Sequence, residues 1–410
     1  MWPIPMICIL RAMTLTTHRQ TGAAPVQGWA PFALGFRPFF LLSALAAVLL
    51  MVLWTLLWHG VLAVPAHYNP VAWHAHEMLF GYAVAVIAGF LLTAVRNWTG
   101  VQTWTGQRLA LLAAVWLLGR LLPWIPGVPV ALVIAVDVAF LPLVAVSLVH
   151  PLWQGQNRVN RVFLPLLGAM ALANLLSHLQ LLDVLGGLGD MRRVMLDLIL
   201  LIIALVAGRV MPFFTQNVLP GFRATQRPWV ERLTMANLLL LVVAQSIPAL
   251  AGVPMALLWL VFAGSQAVRL AGWFEQRIFA IPVLWVLHVG YAWLVLGAAL
   301  SGLAELGLFA PASALHALTA GAVGVFTMGM MARVARGHSG RSIDVTRVMT
   351  WAFVVMNLAA LIRVFGTAWA SGAYARWVDL SALLWIVGFA LFVWQYASIL
   401  LRPRIDGKPG

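Results

Sequence analysis

Apolar runs of about 20 residues follow one another along nearly the whole chain, broken only by short polar or Pro/Gly-rich connectors. A hydrocarbon layer roughly 30 Å thick is crossed by about 20 helical residues, so each run is a candidate membrane crossing. The runs fall at 39–58, 71–95, 109–122, 128–149, 162–184 and 194–214, then at 233–251, 253–272, 280–303, 311–336, 347–369 and 379–401. Short alternating strands of the kind that build an outer-membrane barrel are not seen. With 63% hydrophobic and 9% charged residues in 410, neither a large soluble catalytic domain nor disorder is compatible with the chain. The single cysteine, Cys8, excludes a disulfide framework, a Cys-based zinc site, an iron–sulfur cluster and thioether-linked haem.

The formal charge of +14 raises the question of nucleic acid, but the 25 Lys and Arg residues are scattered among apolar runs and form no basic domain. Membrane topology accounts for them better, because cytoplasmic loops carry an excess of Lys and Arg. If the N-terminus is cytoplasmic, 20 of the 25 fall in inside segments, from Arg11, Arg19 and Arg37 to Arg402, Arg404 and Lys408. The outside set is Arg120, Arg192, Arg193, Arg363 and Arg376. This predicts an all-α integral membrane protein with twelve transmembrane helices and both termini cytoplasmic. It divides into a cytoplasmic lead-in at 1–31, a membrane domain at 32–401 and a short tail at 402–410. The lead-in lacks the basic start and small-residue cleavage site of a secretory signal. Trp29, Trp54, Trp58, Trp98, Trp104, Trp124 and Trp153 fall near helix ends, where indoles anchor at the lipid–water boundary.

Two stretches echo each other. At an offset of 240, His76, Gly81, Gly89, Arg96 and Gly100 match His316, Gly321, Gly329, Arg336 and Gly340. A weaker echo at 120 sets Glu77 over Asp197 and Asn97 over Asn217. Three parallel blocks of four helices fit this spacing.

Ionisable groups inside a membrane are costly and often functional, so the placement of the ten histidines matters. His18, His59, His67 and His150 fall in tails or loops. His74 and His76 open the second helix, His178 comes late in the fifth and His316 opens the tenth. At 1.5 Å per residue these four lie roughly 5–10 Å inside the outer boundary, with His288 deeper. Imidazoles at one depth on different helices can converge on copper or haem iron, or each can bond a carbonyl of a neighbouring helix. His74 and His76 point about 200° apart, so one rigid helix cannot aim both at one metal. The expectation is that His76 and His316 share one centre while His74 meets His288 or His178 at another. Glu77, one turn from His74, could set that ring's tautomer or carry a proton. Asp137 and Asp197 could pair with Arg120 or Arg193, or relay protons. Arg209 could snorkel to the interface or meet an anionic propionate. Met328, Met330 and Met331 read as packing rather than as copper(I) ligands.

Trp73-His74-Ala75-His76-Glu77-Met78-Leu79-Phe80-Gly81-Tyr82, with its continuation to Asn97-Trp98-Thr99-Gly100, resembles the NnrS family. So do Gly35-Phe36-Arg37-Pro38-Phe39-Phe40, the Gly208 to Asn217 stretch, Leu287-His288-Val289-Gly290-Tyr291-Ala292-Trp293 and His316-Ala317-Leu318-Thr319 with Gly337-His338-Ser339-Gly340-Arg341. The resemblance covers nearly everything after residue 30, apart from the Arg96-Asn97 junction, where many relatives have a proline. It implies a twelve-span protein of the bacterial cytoplasmic membrane, associated with haem and copper and linked to denitrification and nitric-oxide defence. Nitric oxide or an iron-nitrosyl species is then the expected ligand, beside the lipid bilayer and with no nucleic acid. A twelve-helix transporter of a small solute or metal is the alternative. A respiratory oxidase or NO reductase core places adjacent His-His ligands in one helix, and no His-His dipeptide occurs. Redox catalysis, sensing and export all stay open.

Overall fold

The computed structural model describes residues 28–65, 67–369 and 371–408. Its helices form twelve rods: α1 (Phe36–Trp58), α2 (Pro70–Thr99), α3 (Gly106–Leu121), α4 (Val130–Gln154), α5 (Arg158–Leu181) and α6 (Met191–Val218), then α7 (Pro228–Gln245), α8 (Val253–Trp273), α9 (Pro282–Glu305), α10 (Pro311–His338), α11 (Arg347–Trp369) and α12 (Tyr374–Leu401). Among the described residues there is no β-strand. Ten rods are long and apolar enough to cross a membrane, and α3 and α7 are the two that fall short. The chain is therefore an all-helical, multi-pass membrane protein.

Local chemistry sets the rod ends. Pro70, Pro228, Pro282 and Pro311 each stand in the first turn, where a missing N–H costs nothing. Asn69 caps α2 by accepting from Ala72 N at 2.8 Å. The run expected at 233–251 instead starts at Pro228 and ends at Gln245, because Pro248 cannot continue a helix. Gly100 and Gly340, the last pair of the 240 offset, both end their helices at positive φ, +73° and +76°.

Successive rods pack against one another, and α12 returns along α1 to close the set. Arg37 at the start of α1 donates to the carbonyls of Ile399, at 3.1 Å, and of Arg402. Ala30 N donates to Leu401 O at 2.9 Å, so the described chain begins and ends on one side. Three rods sit innermost and touch each other: α2, α6 and α10, with 83%, 83% and 78% of their apolar windows buried against 39–67% elsewhere. The same three places are occupied one after another at intervals of four helices.

α2 and α10 share a further peculiarity. Each opens as an α-helix, changes to a π-helix directly after its histidine, at Glu77–Ala83 and Ala317–Val325, and then resumes. π segments are rare and gather at functional sites. Both rods also use a glycine for close packing: a Cβ on Gly89 would lie 2.9 Å from Phe39 of α1, and one on Gly329 would lie 2.8 Å from Val286 of α9.

Of the sequence expectations, Cys8, Arg11, His18 and Arg19 lie outside the described residues. Trp54 is not a boundary anchor. It is buried and stacks on His74, with ring centroids 4.4 Å apart and planes at 23°.

Candidate metal centre

The start of α2, the end of α3, the first half of α4 and the end of α5 meet at one level. α3 contributes Arg120, α4 Asp137 and α5 the pair Asn174 and His178, which share a helix face at i, i+4. α2 contributes His76 and Glu77. All six side chains are at most 7% exposed.

Asp137 is the hub. Its Oδ2 accepts from Asn174 Nδ2 at 2.8 Å and faces the Nε2 atoms of His178 and His76 at 3.0 and 3.1 Å. Its Oδ1 accepts from Arg120 Nη2. On its other side Arg120 lies 3.3 Å, Nε to Oε2, from Glu77. With neutral imidazoles the formal charge is −1: two carboxylates and one guanidinium. Two glycines let these helices approach. A Cβ at Gly81 would lie 2.8 Å from Arg120 Nη1, and one at Gly119 would lie 3.1 Å from Asp137 Oδ1. Trp116 Nε1 donates to Gly81 O at 3.1 Å and ties α3 to the π segment.

His76, Asp137 and His178 each offer a donor atom within 4.8 Å of the others, the one such group among the described residues. Tetrahedral ligands held about 2.0–2.2 Å from one ion stand about 3.3–3.6 Å apart, so the widest pair closes by about an ångström when an ion enters. The Nδ1 atoms of both histidines are buried without a hydrogen-bond partner, as is Glu77 Oε1. Two imidazoles and a carboxylate form a borderline nitrogen/oxygen donor set that suits copper(II), iron(II) or zinc. The site fits a metal ion on those grounds.

A wall of rings keeps the group dry. Tyr68 and Phe80 stand 5.4 and 4.8 Å from the His76 ring, centroid to centroid. His67, in the loop before α2, packs at 4.1 Å on Tyr68 and 6.0 Å from His178. It is partly buried, not a solvated loop residue as its sequence position suggested. Burial holds its pKa below the ordinary imidazole value; the neighbouring His178 adds to this and Asp137 opposes it.

The histidines pair differently from the sequence expectation. His76 meets His178, with centroids 4.8 Å apart, and not His316. His74 and His316 lie within range of each other's charge and of Arg363. The 200° between His74 and His76 does send them to two places, but equivalent positions in α2 and α10 face different neighbours instead of each other. His316 Nδ1 is spent on Ala312 O at 2.6 Å. His288 joins neither place: its ring nitrogens face the carbonyls of Leu284 at 2.9 Å and Trp273 at 3.2 Å, and a neutral ring donates to one of the two. Glu77 faces Arg120 and not His74. Arg209 donates to Asn160 Oδ1 at 2.6 Å. It sits twelve residues, or about 18 Å, along α6 from Asp197 and far from the histidine level. Met331 packs in the core and accepts from Ser43 Oγ at 3.4 Å.

Sequence reasoning missed Asn174 and undervalued Asp137. The available signal was the polar series Asn174, Ser177 and His178 on one face of an otherwise apolar helix.

The fold and this site define a class: polytopic membrane proteins that bury an imidazole–carboxylate cluster between helices near one face of the bundle. The family model described as NnrS protein matches residues 30–404, and the chain belongs to the NnrS family. A search of curated proteins gives no match.

Proposed function

We propose that the protein is a nitric-oxide-response protein of a bacterial cytoplasmic membrane, with a resident metal ion held by His76, Asp137 and His178. The single observation that carries this is the buried triad itself, an imidazole–carboxylate donor set inside a chain of the NnrS family. The family resemblance makes copper the expected metal. Bound there, it would supply a redox-active centre with affinity for nitric oxide or an iron-nitrosyl species.

The chain's own residues do the rest. Asp137 sets one oxygen against both imidazoles, where all three can turn to a shared ion, Asn174 fixes that oxygen, and Arg120 offsets the two carboxylates that a dry site would otherwise reject. Tyr68 and Phe80 exclude water. For haem, the donor chemistry falls to His74 and His316, two imidazoles on different helices close to the Arg363 guanidinium, a natural partner for a propionate.

The same reading takes α3 and α7 as crossings despite their shorter apolar lengths. The reason is geometric: Arg120 at the end of α3 and Gln245 at the end of α7 reach the level of His76 and Asp197, as antiparallel full-length passage requires. Twelve spans, both ends cytoplasmic, a lead-in at 1–31 and a tail at 402–410 then follow the charge bias.

The test is metal and haem quantification, with a reduced-minus-oxidised spectrum, on the purified chain and on His76→Ala, His178→Ala and His316→Ala. Copper should vanish from the first two variants and persist in the third, with a Soret band altered only in the third. Wild-type protein carrying neither metal nor haem overturns the reading in favour of a carrier.

A further inference from the structure

α2 with the three rods that follow it encloses the His76 group; α6 with its three followers encloses a matching place. There Asp197 (α6) comes 120 positions after Glu77 of α2, and it is surrounded by Arg193 of its own helix, Gln245 (α7), Trp259 (α8), Ser301 and Glu305 (α9) and the apolar start of α10. The first place is filled by side chains packed on one another, with Arg120 between two carboxylates. The second is a cavity of about 190 Å³, room for several waters at roughly 30 Å³ each.

Asp197 is 1% exposed and lines this cavity, yet its Oδ2 has no hydrogen-bond partner. No arginine grips it as Arg120 grips Asp137. The nearest guanidinium, Arg193, lies 4.0 Å from Glu305 Oε1, and Glu305 Oε2 accepts from Gly252 N at 3.0 Å. Ser301 spends its proton on Gly297 O at 2.8 Å, which leaves its oxygen free to accept. An unpaired buried carboxylate is costly, and it is relieved either by taking up a proton or by a cation that completes it. The groups on hand are hard oxygens, an indole and the Arg193 guanidinium, with no imidazole or sulfur among the lining residues. With Asp197 ionised, Asp197 and Glu305 against Arg193 give a formal charge of −1.

We propose that the cavity is a binding site for a monovalent cation of alkali-metal or ammonium size. Oxygen donors select hard cations over copper or zinc, and the charge of −1 is balanced by one positive charge and overshot by two. Room for several waters lets the ion keep part of its hydration while Asp197 and the Ser301 oxygen replace the rest. Trp259 closes the cavity on the α8 side. The site stands apart from the metal reading, because none of its residues belongs to the His76 group.

Thermal melts of the detergent-purified full chain in NaCl, KCl, NH4Cl, CaCl2 and choline chloride at equal ionic strength test it. A small monovalent cation should raise Tm saturably above choline, since a ligand bound only by the folded state stabilises it. Asp197→Asn should abolish that rise, and Ser301→Ala should weaken the apparent affinity about tenfold. The proposal is overturned if choline matches the small cations, if calcium outperforms them, or if the response survives in Asp197→Asn. Should that variant fail to fold, an unchanged affinity in Ser301→Ala overturns it equally.

Discussion

The places around Glu77 and Asp197 share a level and a pattern of four consecutive helices, and they treat a buried carboxylate in opposite ways. Around Asp137 and Glu77, every neighbouring helix contributes a partner: Arg120 from α3, Asn174 and His178 from α5, His76 from α2. Around Asp197 the lining is an Arg193–Glu305 pair turned to each other, neutral oxygens, an indole and empty space. The lesson is that backbone layout fixes where a polar site can be, and side chains on the three following helices decide whether it becomes a closed ion-pair network or an open cavity. Breaking a closed network should cost far more than trimming an open one.

The largest effect is expected at Asp137. Asp137→Ala leaves Arg120 buried opposite Glu77 alone and strips Asn174 and both imidazoles of their shared acceptor. Removing one partner of a buried ion pair costs about 3–5 kcal/mol, so thermal melts should show severe loss of stability. Asp197→Asn, in choline buffer, should cost less than about 1 kcal/mol or stabilise, because it replaces a buried charge that has no partner. Equal losses in the two variants would break the contrast between the places.

A smaller effect is expected from the backbone side. A Cβ at Gly81 would stand 2.8 Å from Arg120 Nη1 and 3.1 Å from Glu77 Oε2. Gly81→Ala should push the pair apart at about 1–3 kcal/mol, the usual range for overpacking, and loosen the metal without removing a ligand. Melts together with metal content measure both; unchanged values for both would show that Arg120 yields freely.

Much of the fold was legible in the sequence. Apolar length alone located the rods, since a membrane crossing is a one-dimensional signal, and proline and glycine mark several of their ends. The level shared by His74, His76, His178 and His316 was legible too, because rise per residue converts position into depth. Azimuth was not. Which face of α2 meets α3–α5 depends on packing, and the π segment after His76 alters the facing of every residue beyond it. Hence His76 was matched with His316 through an offset of 240 when its partner is His178. Asp137 was weighed as a structural partner of Arg120, which it is, but that pairing does not prevent its second oxygen from facing two imidazoles.

The smallest predicted effect concerns His67 and separates the two places by pH. Its imidazole is held below the ordinary value by burial, reinforced by His178 and opposed by Asp137. Below an unfolded-state pKa of about 6.5 the unfolded chain then binds the proton more readily than the folded one. The stability that His67 contributes as a neutral ring is therefore complete above that pH and is lost as the pH falls through it. His67→Gln should flatten that part of the curve, so the Tm difference between wild type and variant should narrow or reverse between about pH 7.5 and about pH 5.5. A pH-independent difference would show that the ring keeps its ordinary titration. No histidine lines the Asp197 cavity, so the cation-dependent rise in Tm should be the same in His67→Gln as in wild type at both pH values. If the substitution altered that rise, the two places would be coupled through the central helices, and their independence would have to be abandoned.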